Sequence, residues 1–120
     1  MDFASIASMR CEKLPIEKRK WLDMARILAT NPKIIMLDEV MAGLNPNEID
    51  DSIRLVQKVN ETGVAILFIE HVMSAVVKLS HRIVVLNKGS ILINGLPEDV
   101  MKDPAVVEAY LGGGYRYAEN

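Results

Sequence analysis

The chain is 120 residues long, with 14 Lys and Arg against 16 Asp and Glu and a formal net charge of −2. That near balance argues against a general binder of nucleic acid or of an anionic membrane. Hydrophobic residues make up 50% of the chain, enough for the core of one compact domain but, at this length, not of two, and too many for outright disorder.

Residues 1–13 carry no assignable pattern. Over 17–30, Trp21, Met24, Ala25 and Leu28 fall on one face and Asn31-Pro32 follows, which predicts a helix. Next comes Ile34-Ile35-Met36-Leu37, too short for a helix and bounded by polar residues. Its apolar character is continuous rather than alternating, as it is again over 64–69 and 83–86. Such runs are expected to be strands covered on both faces, as in a parallel sheet. Asn45-Pro46-Asn47-Glu48 holds a capping residue, a proline at the first helical position and an acid three residues after the cap. The helix starting there places Ile49, Ile53, Val56 and Val59 in one stripe, and Gly63 stands where the helix must stop. Strand, helix and strand make a βαβ unit. A short helix from about Ser74 to Leu79 precedes the third run.

Asn87-Lys88-Gly89 then joins that run to Ile91-Leu92-Ile93 at hairpin spacing, so an antiparallel pair is expected. Leu96-Pro97-Glu98-Asp99 and Asp103-Pro104 start two short helices that carry the chain to Leu111, and Gly112-Gly113-Gly114 frees a polar tail over 112–120. The fold class is α/β: mainly parallel strands flanked by helices, followed by a C-terminal β-hairpin and two short helices.

Cys11 has no second cysteine to pair with, which fits a reducing compartment and leaves no metal cluster built on cysteine. Met1 to Met9 contains Asp2 and no long apolar core. The longest apolar runs are far below the ~20 residues needed to span a bilayer, so a cytosolic location without direct membrane insertion is expected.

The strongest chemical signal is Asp38-Glu39, which ends a fully apolar strand at the edge where open α/β sheets place their ligands. A carboxylate there can hold Mg²⁺ through its waters, and a second can orient or deprotonate a water that attacks a phosphoryl group. An isolated acidic pair after a strand is more often a solvated loop feature. Glu70-His71 ends the second apolar strand, so His71 falls at the same sheet edge. A lone histidine decides little, but two polar sites from parallel strands converge.

The string Ile34-Ile35-Met36-Leu37-Asp38-Glu39, followed by Ala42-Gly43-Leu44-Asn45-Pro46 and later by Ile69-Glu70-His71, resembles the ATP-binding subunits of ABC transporters. Order and spacing match the Walker B strand with its glutamate, the D-loop and the switch histidine of that family. The resemblance runs from about Leu14 to Leu111, the C-terminal half of the nucleotide-binding domain, with residues 1–13 unassigned and 112–120 a flexible tail. It is nearest the branched-chain amino acid importer type, through the Asn-Pro of the D-loop and the Asp103-Pro104 to Tyr110-Leu111-Gly112 ending. The resemblance implies that Asp38 binds Mg²⁺, Glu39 is the general base for water and His71 contacts the γ-phosphate of ATP. It implies that Ala42, Gly43, Leu44 and Asn45 meet a second ATPase subunit, and that the assembly works beneath transmembrane permease subunits at the inner face of the membrane.

Leu14, Pro15, Ile16, Glu17 and Lys18 fall where the family places its signature loop, which approaches the ATP of the opposite subunit. Here the chain departs from the pattern. The family uses a hydroxyl residue and glycines so that backbone N–H groups can reach phosphate. Pro15 has no N–H, and Glu17 sets a negative charge where a glycine is usual. That carboxylate repels a triphosphate and can itself occupy the helix-terminus anion site. Val40 and His81 also depart from the usual proline and aspartate, away from phosphate chemistry.

No G-x-x-x-x-G-K-[ST] loop is present: the glycines are at 43, 63, 89, 95 and 112 to 114, and none precedes a lysine. The first sheet, the adenine-stacking aromatic and the glutamine loop are missing too, so the 120-residue chain is expected to be inactive alone. Trp21 reads as packing rather than an adenine platform, and the scattered methionines as gap fillers. Lys18-Arg19-Lys20 reads as a solvated helix face, too short a basic run for DNA or RNA binding. Besides the ATPase reading, two alternatives stand: a non-catalytic interaction module, and a truncated remnant whose open sheet edges and apolar surface favour self-association.

Overall fold

The structure, a computed structural model, describes residues 7–111. The tail expected over 112–120 and residues 1–6 of the unassigned stretch before Leu14 lie outside these residues. Within residues 1–13, a 3-10 turn forms over Cys11–Lys13. The chain divides into two units, Met1–Val72 and Met73–Asn120.

The first unit is the expected βαβ arrangement preceded by a helix. Helix α1 spans Ile16–Leu28 and buries Trp21, Met24 and Glu17; Ala25, placed on the same face by spacing, is exposed. The chain leaves it through Asn31, in the left-handed region at φ 52, ahead of Pro32. Strand β1 covers Ile34–Asp38 and strand β2 covers Ala65–Ile69. They pair in parallel, with Ile35 opposite Ile66, Leu37 opposite Phe68 and Asp38 opposite Ile69.

Between them α2 runs over Pro46–Glu61, started by the expected capping box. Asn45 Oδ1 accepts from the amides of Asn47 and Glu48 at 3.0 and 3.1 Å, and Glu48 Oε2 accepts from the Asn45 amide at 2.8 Å. Ile53, Val56 and Val59 of its stripe are buried, and Ile49 is half-buried. Each such buried side chain contributes roughly 1.5–3 kcal/mol. The helix ends on Thr62, and Gly63 takes φ 91, a conformation open to glycine without steric strain.

The strands are not covered on both faces. Ile35 and Leu37 are buried, whereas Ile34, Met36, Leu67 and Ile69 are more than half exposed. Alternating side chains put the first two on one face and the other four on the opposite one. The covered face belongs to the core of α1 and α2: Trp21, Met24, Leu37 and Val56 border one groove of about 180 Å³. No described element covers the other face, so a continuous apolar run became a half-bare strand.

In the second unit α3 spans Met73–Leu79, and β3, Ile83–Asn87, turns back into β4, Ser90–Gly95. The pair is antiparallel, with Val85 opposite Ile93 and an irregularity between Val85 and Leu86. Lys88 and Gly89 both take positive φ, at 48° and 81°, as a two-residue hairpin turn of matching twist requires. Among the described residues β3 pairs only with β4, so the third apolar run does not extend the parallel pair. Helices α4, Pro97–Val100, and α5, Pro104–Val106, begin at the expected prolines, and a π-helical turn over Val107–Leu111 follows. Asp103 caps α5 by accepting from the amides of Ala105 and Val106. Val100, Met101 and Val106 are buried, and the Tyr110 hydroxyl donates to the Leu86 carbonyl. No described helix is long and apolar enough to cross a membrane.

Candidate functional site

The parallel register of β1 and β2 brings their carboxyl ends side by side. The Glu39 amide donates to the Ile69 carbonyl at 2.9 Å, extending the ladder one residue past Asp38. Glu39 itself takes φ 47, so the chain turns sharply away from the sheet there. A non-glycine residue in this region is uncommon, and such outliers cluster at functional sites. The turn leaves the side chains of Asp38 and Glu39 exposed. His71, two residues past β2, arrives at the same edge, and its Nδ1 stands 3.8 Å from Glu39 Oε1. Both side chains are more than half exposed, so the pair is held by backbone geometry more than by mutual attraction.

Asp38 shares the bare face of β1 with Ile34 and Met36, by the alternation along the strand. Its carboxylate therefore opens at the rim of an uncovered apolar surface. Among the described residues no group of three or more His, Cys, Asp or Glu side chains could hold a metal ion. A single exposed carboxylate beside a second one fits Mg²⁺, which keeps most of its waters and is bound through one or two carboxylates plus substrate phosphates. It does not fit an all-protein cage.

Residues 40–45 form a compact turn onto the cap of α2. Met41 is 2% exposed and anchors it, the Ala42 amide donates to the Glu39 carbonyl at 3.1 Å and the Leu44 amide to the Met41 carbonyl at 3.3 Å. Gly43 takes φ 77, with open space where a Cβ would stand. Two contacts hold this turn from outside. Glu70 Oε1 accepts from the Met41 amide at 2.8 Å, and Lys20 Nζ donates to the Ala42 carbonyl at 2.7 Å. Neither was legible as functional from spacing alone. Glu70 was visible only as the acid preceding His71, and Lys20 as part of a basic run.

That run is not a solvated face. Lys18 Nζ sits 3.8 Å from the centroid of the Trp21 ring, and Arg19 donates from Nε to the Leu14 carbonyl at 2.9 Å and from its guanidinium to the Glu12 carbonyl at 2.6 Å. Arg19 thus braces the segment that leads into α1. Within it Leu14 is buried, Pro15 is the N-cap of α1 and Ile16 is exposed. Glu17 is only 8% exposed, with Oε2 3.7 Å from Lys18 Nζ. The N-cap residue of α1 makes no side-chain capping hydrogen bond. Pro15 supplies no capping oxygen, and the Glu17 carboxylate lies beside Lys18. Trp21 packs as expected, at 8% exposure, and its Nε1 has no hydrogen-bond partner among the described residues.

Comparison with known proteins agrees with this fold. The solved structures it resembles include the ADP conformation of an ATP-binding cassette of an ABC transporter, with a TM-score of 0.75 and 33% identity over 83% of this chain and 41% of that one. A nucleotide-free cassette gives a TM-score of 0.75 and 31% identity over 82% of this chain and 40% of that one. The chain has the fold and sequence pattern of part of an ABC-transporter ATP-binding domain. Within that class it is similar to the branched-chain amino acid type. Residues 94–116 match the family model of the branched-chain amino acid ATP-binding cassette transporter. The chain is 41% identical over 113 residues to the high-affinity branched-chain amino acid transport ATP-binding protein BraF of Pseudomonas aeruginosa, covering 93% of this chain and 44% of that protein. It is 41% identical over 107 residues to LivG of Escherichia coli, covering 88% and 42%. The chain thus spans less than half the length of these curated relatives.

Proposed function

We propose that this chain supplies the water-activating half of an ATP-hydrolysing cassette that energises an importer of branched-chain amino acids. The observation that carries this reading is the meeting of Asp38 and Glu39 with His71 at one sheet edge, Glu39 Oε1 3.8 Å from His71 Nδ1. Asp38 would hold Mg²⁺, which neutralises charge developing on the phosphates when bound. Glu39 accepts the proton of the attacking water as general base. His71, from the neighbouring strand, orients that water or donates to the terminal phosphate oxygen. The turn of Ala42, Gly43, Leu44 and Asn45, half-buried at Ala42 and Leu44 and exposed at Gly43 and Asn45, faces a second ATPase subunit, and residues 14–18 approach that subunit's nucleotide.

Residues 14–111 form the cassette portion in this reading. The 120 residues contain no phosphate-cradling loop, so ATP binding and turnover depend on residues outside them. The assembly works in the cytoplasm, peripheral to the membrane beneath permease subunits. Phosphate release should be absent from the isolated chain and appear when it is mixed with the amino-terminal half of a branched-chain-type cassette. Unchanged turnover in Glu39→Gln within that mixture would remove Glu39 from its role.

The altered segment at 14–18 favours a second reading, a non-catalytic module that assembles with an ATPase or permease subunit. Pro15 offers no N–H, and Glu17 sets an acidic side chain in the first turn of α1. This reading expects a complex that forms without nucleotide and survives Asp38→Ala.

A further inference from the structure

The turn that joins Glu39 to α2 is held by two side chains of opposite charge acting on consecutive residues. Glu70 Oε1 accepts from the Met41 amide at 2.8 Å, and Lys20 Nζ donates to the Ala42 carbonyl at 2.7 Å. A carboxylate on an N–H and an ammonium on a C=O are both charge-assisted hydrogen bonds, stronger than neutral ones. The Met41 side chain is buried to 2% exposure and both hydrogen bonds are part-buried, so water competes less for them than at the open surface.

We propose that Glu70 and Lys20 are positioning residues that clamp the 39–45 turn and thereby fix the Glu39 carboxylate beside His71. Glu70 is adjacent to His71 and Met41 lies two residues past Glu39, so one hydrogen bond ties the segment after β1 to the segment after β2. Lys20 ties the same turn to α1, whose start is the 14–18 segment. The left-handed φ of 47° at Glu39 has to be held by its surroundings, and the clamp supplies that restraint. The second oxygen, Glu70 Oε2, is buried without a partner among the described residues, a desolvation cost that the bond to the Met41 amide has to offset. Neither side chain touches the reacting atoms. The consequence for turnover rests on the function proposed above; the clamp itself does not.

Hydrogen–deuterium exchange of the full 120-residue chain, read by mass spectrometry over 39–45 at low micromolar concentration, tests it. Glu70→Ala should speed exchange in 39–45 by about tenfold while β1 and β2 keep their protection. Glu70→Gln, which retains a carbonyl oxygen for the Met41 amide, should return exchange to within about twofold of the parent. Lys20→Met should loosen the same segment. Unchanged exchange in Glu70→Ala, a uniform rise across the whole unit, or failure of Glu70→Gln to rescue would each overturn the clamp. In the complemented cassette, Glu70→Ala should lower kcat with KM for ATP unchanged. Loss of turnover dependence on Glu39 with the exchange pattern intact would sink the ATPase reading and leave the clamp standing.

Discussion

His71 Nδ1 lies 3.8 Å from Glu39 Oε1 because β1 and β2 run in parallel and in a register that sets Asp38 against Ile69. A shift of one residue would turn the buried Ile35 and Leu37 to the bare face and carry Glu39 away from the imidazole. The geometry of the candidate site and the burial of the core are therefore set by the same alignment.

In a complemented cassette, Glu39→Gln should reduce phosphate release by at least about a hundredfold, the contribution of a positioned general base. ATP binding should persist, because the amide keeps its size and no binding contact is removed. Radiolabelled ATP retention measured beside phosphate release separates the two; loss of both together would assign Glu39 to binding.

Calorimetric titration of the isolated 120-residue chain with ATP and Mg²⁺ should give no saturable heat. Asp38 and Glu39 are exposed carboxylates, and without N–H groups to cradle the phosphates they repel the nucleotide unless a cation intervenes. Saturable binding that vanishes in Asp38→Ala would show that this edge is a nucleotide site in its own right.

Asn45→Ala should destabilise the chain by about 1 kcal/mol, since the side chain accepts from two amides at the start of α2. Ile53→Ala, which empties a 3% exposed position in the same helix, should cost about 2–5 kcal/mol. Urea unfolding followed by circular dichroism gives both values, and reversal of their order would contradict the burial assigned to α2.

The bare face of Ile34, Met36, Leu67 and Ile69 should drive self-association of the isolated chain at about tens of micromolar, because contiguous exposed apolar surface is rarely left uncovered. Met36→Lys, at a 73% exposed position, should reduce the apparent mass by light scattering with little change in unfolding free energy. A monodisperse monomer of the parent chain would refute this.

Glu17→Gln should raise turnover of the complemented dimer by about fivefold, on the order of 1 kcal/mol for removing a charge that Lys18 partly screens from a triphosphate. No change would mean that Lys18, 3.7 Å away, already neutralises the carboxylate.

Much of this molecule is written in local chemistry. Asn45, Pro46 and Glu48 specify the start of α2 because capping satisfies amides only a few residues away. Lys88 and Gly89 specify a hairpin because their φ values suit its twist. Asp38, Glu39 and His71 were likewise visible as polar residues ending apolar runs, so the candidate site could be named before its geometry was known.

Tertiary structure decided what those local signals could not reach. A run such as Ile34-Ile35-Met36-Leu37 reads the same whether one face or two are covered, because coverage depends on elements elsewhere in the chain; here Met36 and Leu67 remain exposed. The basic run after Glu17 could point to solvent or to backbone carbonyls, and only the approach of the 39–45 turn gave Lys20 a partner. Glu70 had no local signal of its own, since its partner Met41 is brought to it by strand pairing. Sequence determines the contacts made within a helical turn or a hairpin; the fold alone determines which of its charged side chains meet across the sheet edge.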